Sequence, residues 1–465
     1  MTSSVYTLRR ALLAETLRAA GGGVAVIPTA PERPRNSDND HPYRHDSSFH
    51  YLTGFDEPGA WLLLGADGAS TLLCRAKDPE REIWDGLRLG VEAAPAALGV
   101  DRAFDVAALD AVVVEHLANQ EAVWFPFGAE GGLAGRIDAW LATLRGRARG
   151  GVECPAAQRD LAPLLAELRL RKDPAELATM RRAAAISAGA HVRAMRFCGA
   201  RLRAEPLGGV HEYQIEAELL HEFRRHGAQS PAYPSIVAAG ANACVLHYAA
   251  GATQLRAGEL CLIDAGCELD GYASDITRTF PADGRFSAAQ RELYEIVLAA
   301  QQAAADATHP GARQRDAHAA AVRVLAQGML DTGLLGRDAV GGLDDVIEST
   351  AYRQFYMHGT GHWLGRDVHD VGEYLAQGEP AFEQPDGLGG RAVRKPSRRL
   401  EPGMVVTLEP GIYVRPAPGV PERYWHIGIR IEDDAVVTAT GCELISRGVP
   451  VAAAEIEALM RDAAN

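Results

Sequence analysis

The sequence contains few features of a secreted, membrane-spanning or nucleic-acid-binding protein. Its seven cysteines are odd in number and scattered, and no C-x-x-C pair occurs, which disfavours a disulfide framework and a thiolate zinc site. No run of about 18 apolar residues occurs, so we expect no membrane-spanning helix. Acidic residues (61) outnumber basic ones (47), and the net charge of -14 disfavours a nucleic-acid partner. Arg9, Arg10 and Glu15 interrupt the first apolar runs, so no secretion signal is visible and we expect a cytoplasmic protein.

The residues that are present predict two globular domains. A chain of 465 residues is too long for one ordinary domain, and 47% hydrophobic with 23% charged residues is a globular composition. Strand patterns alternate with helical ones in the first part, which favours an α/β domain. The strands are expected at Val24–Pro28, Trp61–Leu64, Ser70–Cys74 and Ala122–Phe125, and the helices at Leu8–Ala20 and Asp105–Leu117.

A domain boundary is expected near residue 172. Asp173 followed by Pro174 is typical of a helix start, with Asp173 as the cap, and the helix should run to about Cys198. We therefore predict domains at residues 1–171 and 172–465. The second part alternates long helices with glycine-punctuated β-rich stretches, and Leu375–Arg399 is expected to be an irregular surface loop.

The stretch from Leu260 to Phe280 predicts a hairpin that carries two carboxylates. Asp270-Gly271 is a turn signal, and a loop at Leu269-Asp270 puts Asp264 opposite Asp275, whereas a loop at Asp270-Gly271 makes them diagonal neighbours. Either register places both carboxylates on one face. Two such groups in a core need a cation or a shared proton. The alternative is that one of them is exposed or caps a turn.

Three histidines lie in one glycine-rich stretch, FYMHGTGHWLGRDVHD. His358 and His362 have the i,i+4 spacing of zinc proteases, but H-E-x-x-H is absent, and the intervening Gly-Thr-Gly favours a strand or loop over a helix. A single histidine here could be a core residue with a satisfied hydrogen bond. Three, including His369, favour a functional site.

Two glutamates end apolar strand patterns. Glu409 closes MVVTLE, and Glu432 shares a strand face with Arg430 in HIGIRIEDD. Each could be an ordinary exposed strand residue. Together with the aspartates and histidines, however, they form a mixed oxygen and nitrogen donor set, which suits hard divalent ions such as manganese.

With these segments the sequence resembles bacterial aminopeptidase P (Xaa-Pro aminopeptidase), one of the pita-bread metallopeptidases that also include prolidase, methionine aminopeptidase and creatinase. The resemblance implies a creatinase-like α/β domain followed by a pita-bread α+β catalytic domain. The similar segments of the second domain occur in the family's order, and the first domain is similar too. They are HYAAGA, LIDAGCELDGYASDITRTFP, FYMHGTGHWLGRDVHDVG, LEPGMVVTLEPGIYV, GIRIEDD, SDNDHPYRHDSSFHYLTGFDEPGA and EIWDGLRLG.

The resemblance implies a site for two divalent metal ions, and Mn²⁺ is the expected metal. Asp275 and Glu432 would bridge both ions, Asp264 would bind one, and His362 with Glu409 would complete the other. A metal-bridging hydroxide would attack the carbonyl before proline, and Glu409 would take its proton. The resemblance also implies roles for His247, His358 and His369 in catalysis or substrate binding, and for Arg430 as the support of Glu432.

The resemblance further implies a homo-oligomer, a dimer or tetramer, in which the first domain serves oligomerisation and substrate access. Trp84 resembles a residue that reaches a neighbouring subunit's site, although simple burial is the alternative, and Asp38 is expected near the substrate's amino end. The segment Leu375–Arg399 is expected to be longer than the family usually has at this place.

Two other functions remain open from the sequence. A prolidase would share the metal ligands but cut only Xaa-Pro dipeptides, and Trp363 with EIWDGLRLG favours the aminopeptidase. A non-catalytic binding protein on the same fold is the second alternative, and such a protein would be expected to lose ligands.

Overall fold

The structure is a computed structural model that describes residues 3–129, 131–205, 209–385 and 391–462. The chain forms two compact units, Met1–Arg169 and Leu170–Asn465. Among the described residues, no helix is both long and apolar enough to cross a membrane. All seven cysteines are free thiols, and five of them are buried.

A six-stranded mixed sheet forms the centre of the first unit. Its order is β6-β5-β4-β1-β7-β8. The strands are β1 Val24–Pro28, β2 Pro34–Asn36, β3 Asn39–Asp40, β4 Trp61–Gly65, β5 Ser70–Cys74, β6 Arg102–Asp105, β7 Ala122–Phe125 and β8 Ala157–Asp160, of which β2 and β3 form a separate pair. Side chains of the central strands alternate between two apolar clusters, as period 2 requires. The predicted α/β class of this unit is confirmed.

Helices accompany this sheet at nearly the positions expected from the sequence. The predicted helix at Asp105–Leu117 is a 3₁₀ turn at Val106–Ala108 followed by a helix that begins at Leu109. The helices are α1 Ser3–Ala19, α2 Ser47–Thr53, α3 Pro79–Asp85, α4 Ala94–Leu98, α5 Leu109–Leu117, α6 Leu133–Gly146 and α7 Ala162–Leu170.

Long helices and several small antiparallel sheets build the second unit. The helices are α8 Pro174–Ala204, α9 Glu212–Arg225, α10 Ala288–Asp306, α11 Gln314–Asp331, α12 Arg337–Val340, α13 Leu343–Glu348 and α14 Ala453–Arg461. The strands are β9 Val210–His211, β10 Ser230–Pro231, β11 Ile236–Ala239, β12 Gln254–Leu255, β13 Leu260–Asp264, β14 Cys267–Leu269, β15 Tyr272–Ala273, β16 Thr277–Pro281, β17 Phe382–Pro385, β18 Arg391–Arg394, β19 Val405–Leu408, β20 Gly411–Val414, β21 Ile427–Arg430, β22 Asp433–Val437 and β23 Cys442–Leu444.

Helix α8 begins where the sequence predicts it and for the predicted reason. The side chain of Asp173 accepts hydrogen bonds from the backbone N–H groups of Ala175 and Glu176. In return, Oε2 of Glu176 accepts a hydrogen bond from the backbone N–H of Asp173. This reciprocal pair satisfies orphan donors of the first turn. The helix continues to Ala204, six residues beyond the expected end at Cys198.

The predicted hairpin at residues 260–280 is confirmed, with the turn at Asp270-Gly271. Both turn residues have positive φ, 51° and 73°, which is the backbone of a two-residue hairpin turn with right-handed strand twist. The register pairs Asp264 with Thr277. Asp264 and Asp275 are therefore diagonal neighbours, the second of the two expected registers.

The expectation of an irregular loop at Leu375–Arg399 is wrong in part. Strands β17 and β18 pair in antiparallel fashion, and residues 386–390 between them lie outside the described residues. The pairing begins at the base of the segment, where Leu375 bridges Ser397. Leu375 and Ser397 thus hold the two ends of the segment together, and the chain between them includes an antiparallel strand pair. The Gly- and Pro-rich composition of the segment does not predict this pairing.

Candidate metal centre

Two neighbouring strand ends carry the aspartates. Asp264 ends β13, and Asp275 lies two residues before β16. The hydroxyl of Tyr233 lies 2.6 Å from Oδ1 of Asp264 and also contacts Oδ1 of Asp275. Gly266 allows the backbone after Asp264 to pass close to the backbone before Asp275, because a Cβ on residue 266 would stand 1.7 Å from the carbonyl oxygen of Ser274. The two carboxylates consequently face one small space.

The glutamates reach the same space from other strands. Glu432 follows β21; its backbone N–H donates to the carbonyl of Thr277, and its Oε2 accepts from the Thr277 hydroxyl at 2.6 Å. Glu409 follows β19, and its N–H donates to the carbonyl of Thr360 at 2.8 Å. That bond joins Glu409 to the histidine segment. Glu432 is buried and Glu409 is 19% exposed, so the alternative of ordinary exposed strand residues fails for both.

His362 completes the cluster and presents a ring nitrogen to it. Its Nδ1 lies 2.9 Å from the carbonyl of Trp363, which fixes the N–H there and turns Nε2 toward the carboxylates. Nε2 stands 3.4 Å from Oδ2 of Asp275 and 3.8 Å from Oε1 of Glu409. One ligand atom each from Asp275, His362 and Glu432 lies within 4.8 Å of the others. This spacing fits a bound cation.

Arg430 joins the cluster to a tyrosine and a further histidine. Its Nη2 donates to Oδ2 of Asp264 at 2.6 Å, and its Nη1 donates to the Tyr413 hydroxyl at 2.9 Å. The Nδ1 of His358 bonds to its neighbour's carbonyl, so Nε2 accepts from Tyr413 at 2.8 Å. The charge of Arg430 also acts on Glu432, and the Arg430 Nε donates to the hydroxyl of Thr277, which in turn donates to Oε2 of Glu432.

A cavity of about 560 Å³ opens above these groups. His247 and His369 line it together with the carboxylates, and the ring of His369 lies 4.2 Å from that of His362. Apolar side chains of Ile236, Leu246 and Val368 form part of its wall. The structure thus brings together every C-terminal site residue that the sequence analysis names.

Buried negative charge dominates the electrostatics. Burial raises the pKa of Glu409 to about 7 and raises those of Glu432 and Asp264 above their usual values. Burial also acts on Asp275, but the hydrogen bond and charge of His362, together with Tyr233 and Arg430, outweigh it and hold the pKa of Asp275 below its usual value. The carboxylates in turn raise the pKa of His362 to about 9, against the effect of burial. Positive charge is favoured at this point, and a bound metal ion would take the place of protons.

The two remaining predicted residues belong to the N-terminal unit. Trp84 lies in α3 and is 83% exposed, so the alternative of simple burial is wrong. Ile83 in α3 and Leu87, two residues after its end, are also exposed, and α3 buries none of its side chains. Asp38 is exposed in the turn between β2 and β3.

Sequence reasoning missed three polar residues at the site: Tyr233, Thr277 and Tyr413. Thr277 lies two residues after Asp275 in a strand and so shares its face, which is a usable signal. Tyr233 comes from a distant segment, and only the fold brings it to Asp264. No local pattern identifies it.

Comparisons with known proteins agree with this geometry. A model of metallopeptidase family M24 matches residues 178–439, and a model of the aminopeptidase P N-terminal domain matches residues 6–124. The Xaa-Pro aminopeptidase of Escherichia coli K12 is 42% identical over 459 residues, which is 98% of this chain and 97% of the relative. The Haemophilus influenzae Xaa-Pro aminopeptidase is 42% identical over 432 residues, 92% and 91% of the two chains.

Solved structures of similar proteins extend the agreement to the fold. The structure of a Pseudomonas aeruginosa aminopeptidase has a TM-score of 0.90 at 46% identity and covers 100% of this chain and 99% of its own. Aminopeptidase P from E. coli with the inhibitor Pro-Leu has a TM-score of 0.89 at 42% identity, with the same coverage. The fold is that of the metallopeptidases with a pita-bread C-terminal domain. The chain belongs to metallopeptidase family M24, in the group of the bacterial aminopeptidases P.

Proposed function

We propose that this chain releases the N-terminal residue from peptides whose second residue is proline, by metal-dependent hydrolysis. The convergence of Asp264, Asp275, His362, Glu409 and Glu432 in one cavity carries the proposal. The names of the relatives supply the specificity, since those at 42% identity are Xaa-Pro aminopeptidases. The intact donor set argues against a non-catalytic binding protein.

Two divalent ions would be held by these five side chains. Asp275 and Glu432 would contribute to holding both ions, Asp264 would contribute to one, and His362 with Glu409 would contribute to the other. The donors fit, because four carboxylates share the cavity with one guanidinium, and burial already disfavours their uncompensated charge. When bound, such ions polarise a carbonyl and lower the pKa of water. An oxygen-rich set with one imidazole supports manganese as the native metal.

The chain's own groups would handle protons and charge around the scissile bond. Glu409 would accept the proton of the nucleophile, because its carboxylate lies in the cluster beside His362 and can accept a hydrogen bond while it also holds a metal ion. His358 is neutral, since burial and Arg430 lower its pKa to about 3. It would therefore serve as a hydrogen-bonding group in the chain through Tyr413. His247 and His369 would stabilise the oxyanion and orient the substrate.

Arg430 would keep Asp264 in its ligating orientation. A guanidinium can contact several partners in one plane, and here it bonds to Asp264, Thr277 and Tyr413 at the same time. It thereby supports one metal ligand directly and Glu432 through Thr277. This is the role that the outer hydrogen bonds of metal ligands have in general.

Selectivity for proline would follow from the amide and from the cavity wall. The amide nitrogen of proline carries no hydrogen. An aminopeptidase that hydrogen-bonds to the N–H of the scissile amide therefore binds a peptide with proline in the second position poorly. The apolar groups of Ile236, Leu246 and Val368 offer a surface for the pyrrolidine ring beside the charged cluster.

The proposal extends to assembly and location. The N-terminal domain (residues 1–171) would serve oligomerisation and substrate access for the catalytic domain (residues 172–465), in a dimer or tetramer. Trp84 would act at a subunit contact and Asp38 near the substrate's amino end. The exposed apolar side chains of Ile83, Trp84 and Leu87 support a contact there. Seven free thiols support a reducing, cytoplasmic location.

A panel of three peptides tests the proposal. Xaa-Pro-Yaa, Xaa-Pro and Xaa-Ala-Yaa are incubated with the protein and Mn²⁺, and released residues are identified by mass spectrometry. We expect cleavage of Xaa-Pro-Yaa before proline, and its loss in Glu409→Gln but not in Glu401→Gln, a matched change at an exposed glutamate. Cleavage of the dipeptide alone would establish a prolidase instead. Cleavage of none would favour the binding protein.

A further inference from the structure

One buried carboxylate holds the segment that carries His247. Glu212 is the first residue of α9 and is fully buried. Its Oε1 accepts from the backbone N–H of Ala239 at 2.9 Å and from the side-chain amide of Asn242 at 2.9 Å. Its Oε2 accepts from the Tyr248 hydroxyl at 2.9 Å and from the backbone N–H of Gly251 at 3.0 Å. All four donors lie in residues 239–251.

This arrangement uses the acceptor capacity of the carboxylate without a counter-cation. A carboxylate offers two oxygens that only accept, and here each receives two bonds from the segment. The four donors are two backbone N–H groups, an amide and a hydroxyl, none of which carries a positive charge. The negative end of the side chain instead lies at the N-terminus of a 14-residue helix, where the helix dipole favours it. Glu212 thus ties both ends and the middle of the segment to one fixed point.

His247 depends on this tie for its position. Its side chain is exposed to the cavity, and among the residues that the structure describes no hydrogen bond holds the imidazole. The backbone therefore decides from which point of the wall the imidazole extends, and so which part of the cavity it can reach. Leu246, Tyr248 and Ala249 line the cavity on either side of it, and Tyr248 is itself bonded to Glu212.

We propose that Glu212 is a positioning residue for the reaction, which aims His247 at the metal centre by fixing residues 239–251. The inference rests on the proposed function of His247 and adds a residue that does not touch the substrate. Loss of the carboxylate would free the segment. Because an error of about 1 Å in a reacting group can cost about 100-fold in rate, kcat should fall although the ligands remain.

The test is a kinetic cycle of Glu212→Gln, His247→Ala and the double variant, with Mn²⁺ and Xaa-Pro-Yaa. In Glu212→Gln the side-chain NH₂ group faces two of the segment's hydrogen-bond donors, so we expect kcat to fall about 10-fold to 100-fold while bound manganese stays unchanged. The double variant should be no slower than His247→Ala alone, because both changes remove one interaction. Glu216→Gln, one turn along α9, is the matched control and should keep full activity.

The outcomes separate this inference from the proposed function. If His247→Ala leaves kcat unchanged, the proposed role of His247 fails. If His247→Ala lowers kcat and Glu212→Gln does not, or if the two losses multiply in the double variant, Glu212 is not a positioning residue for His247. If circular dichroism shows that Glu212→Gln does not fold, the variant Asn242→Ala tests the inference in its place. It removes one of the four donors and should lower kcat in the same His247-dependent way, and no change would overturn the inference.

Discussion

The buried ion pair between Lys172 and Asp370 should be a strong determinant of the stability of the catalytic domain. Nζ of Lys172 lies 3.0 Å from Oδ2 of Asp370, and both side chains are 1% exposed. The pair is tightly enclosed, since a Cβ on Gly365 would stand 2.0 Å from Oδ2 of Asp370. Lys172→Met keeps the length of the side chain and removes its ammonium group. Because breaking a buried ion pair by removing one partner is strongly destabilising, we expect a loss of about 3–5 kcal/mol in the free energy of unfolding.

Guanidinium unfolding followed by circular dichroism measures this loss. The midpoint should fall at an unchanged denaturant slope, which signals altered stability rather than altered compactness. The double variant Lys172→Met with Asp370→Leu should recover most of the loss, because two apolar groups of similar volume need no compensation. Arg171→Met is the control, since its ion pair with Glu401 is exposed and should contribute below about 1 kcal/mol.

Two results would refute this reasoning. A cost of Lys172→Met no larger than that of Arg171→Met would show that Asp370 is stabilised without the ammonium. A double variant as unstable as the sum of the single ones would show that the charges are not coupled, and that packing alone explains each loss.

Three further predictions concern other parts of the second unit. Burial lowers the pKa of His191 to about 4, so the folded protein holds it neutral while the unfolded chain takes up a proton below about pH 6.5. The stabilising contribution of the neutral His191 is therefore present above that pH and lost as the pH falls toward 4. The free energy of unfolding should fall by about 2 kcal/mol by pH 5. Measured by urea unfolding, the stability of His191→Gln should depend less on pH than that of the unchanged protein. Arg430→Met should lower metal affinity about 10-fold to 100-fold in a manganese titration, and unchanged affinity would deny its support of Asp264. Gly266→Ala should cost about 1–3 kcal/mol, because the new methyl would collide with Ser274, and an unchanged melting temperature would contradict this contact.

Local sequence patterns account for much of the fold. Strands with period 2 between turn residues were predictable, and β1, β5 and β7 have the expected bounds. Asp270-Gly271 was predictable as a turn because few residues adopt positive φ at both positions. The pairing of β17 with β18 was not predicted, because the Gly- and Pro-rich composition of the segment indicates a loop; the structure shows both this pairing and a bridge between Leu375 and Ser397 at its base.

The candidate site divides in the same way. Carboxylates at the ends of apolar runs can be identified from the sequence as candidate site residues, because a buried charge is costly unless it is paired or binds a metal ion. Their partners are less visible. Tyr233 reaches Asp264 from 31 residues away, and Glu212 acts on the segment of His247 from across the fold. Tyrosines and glutamates in ordinary surroundings carry no local signal, so only the tertiary structure identifies them.

Metal dependence is the most direct test of the central claim. The protein is stripped with a chelator, dialysed and titrated with Mn²⁺, while bound metal and hydrolysis of Xaa-Pro-Yaa are followed together. We expect no activity in the stripped protein and a rise that levels off at about two ions per chain, with both binding and activity impaired in Glu432→Gln. Full hydrolysis by metal-free protein, or full activity in Glu432→Gln, would contradict a metal centre built on these five side chains.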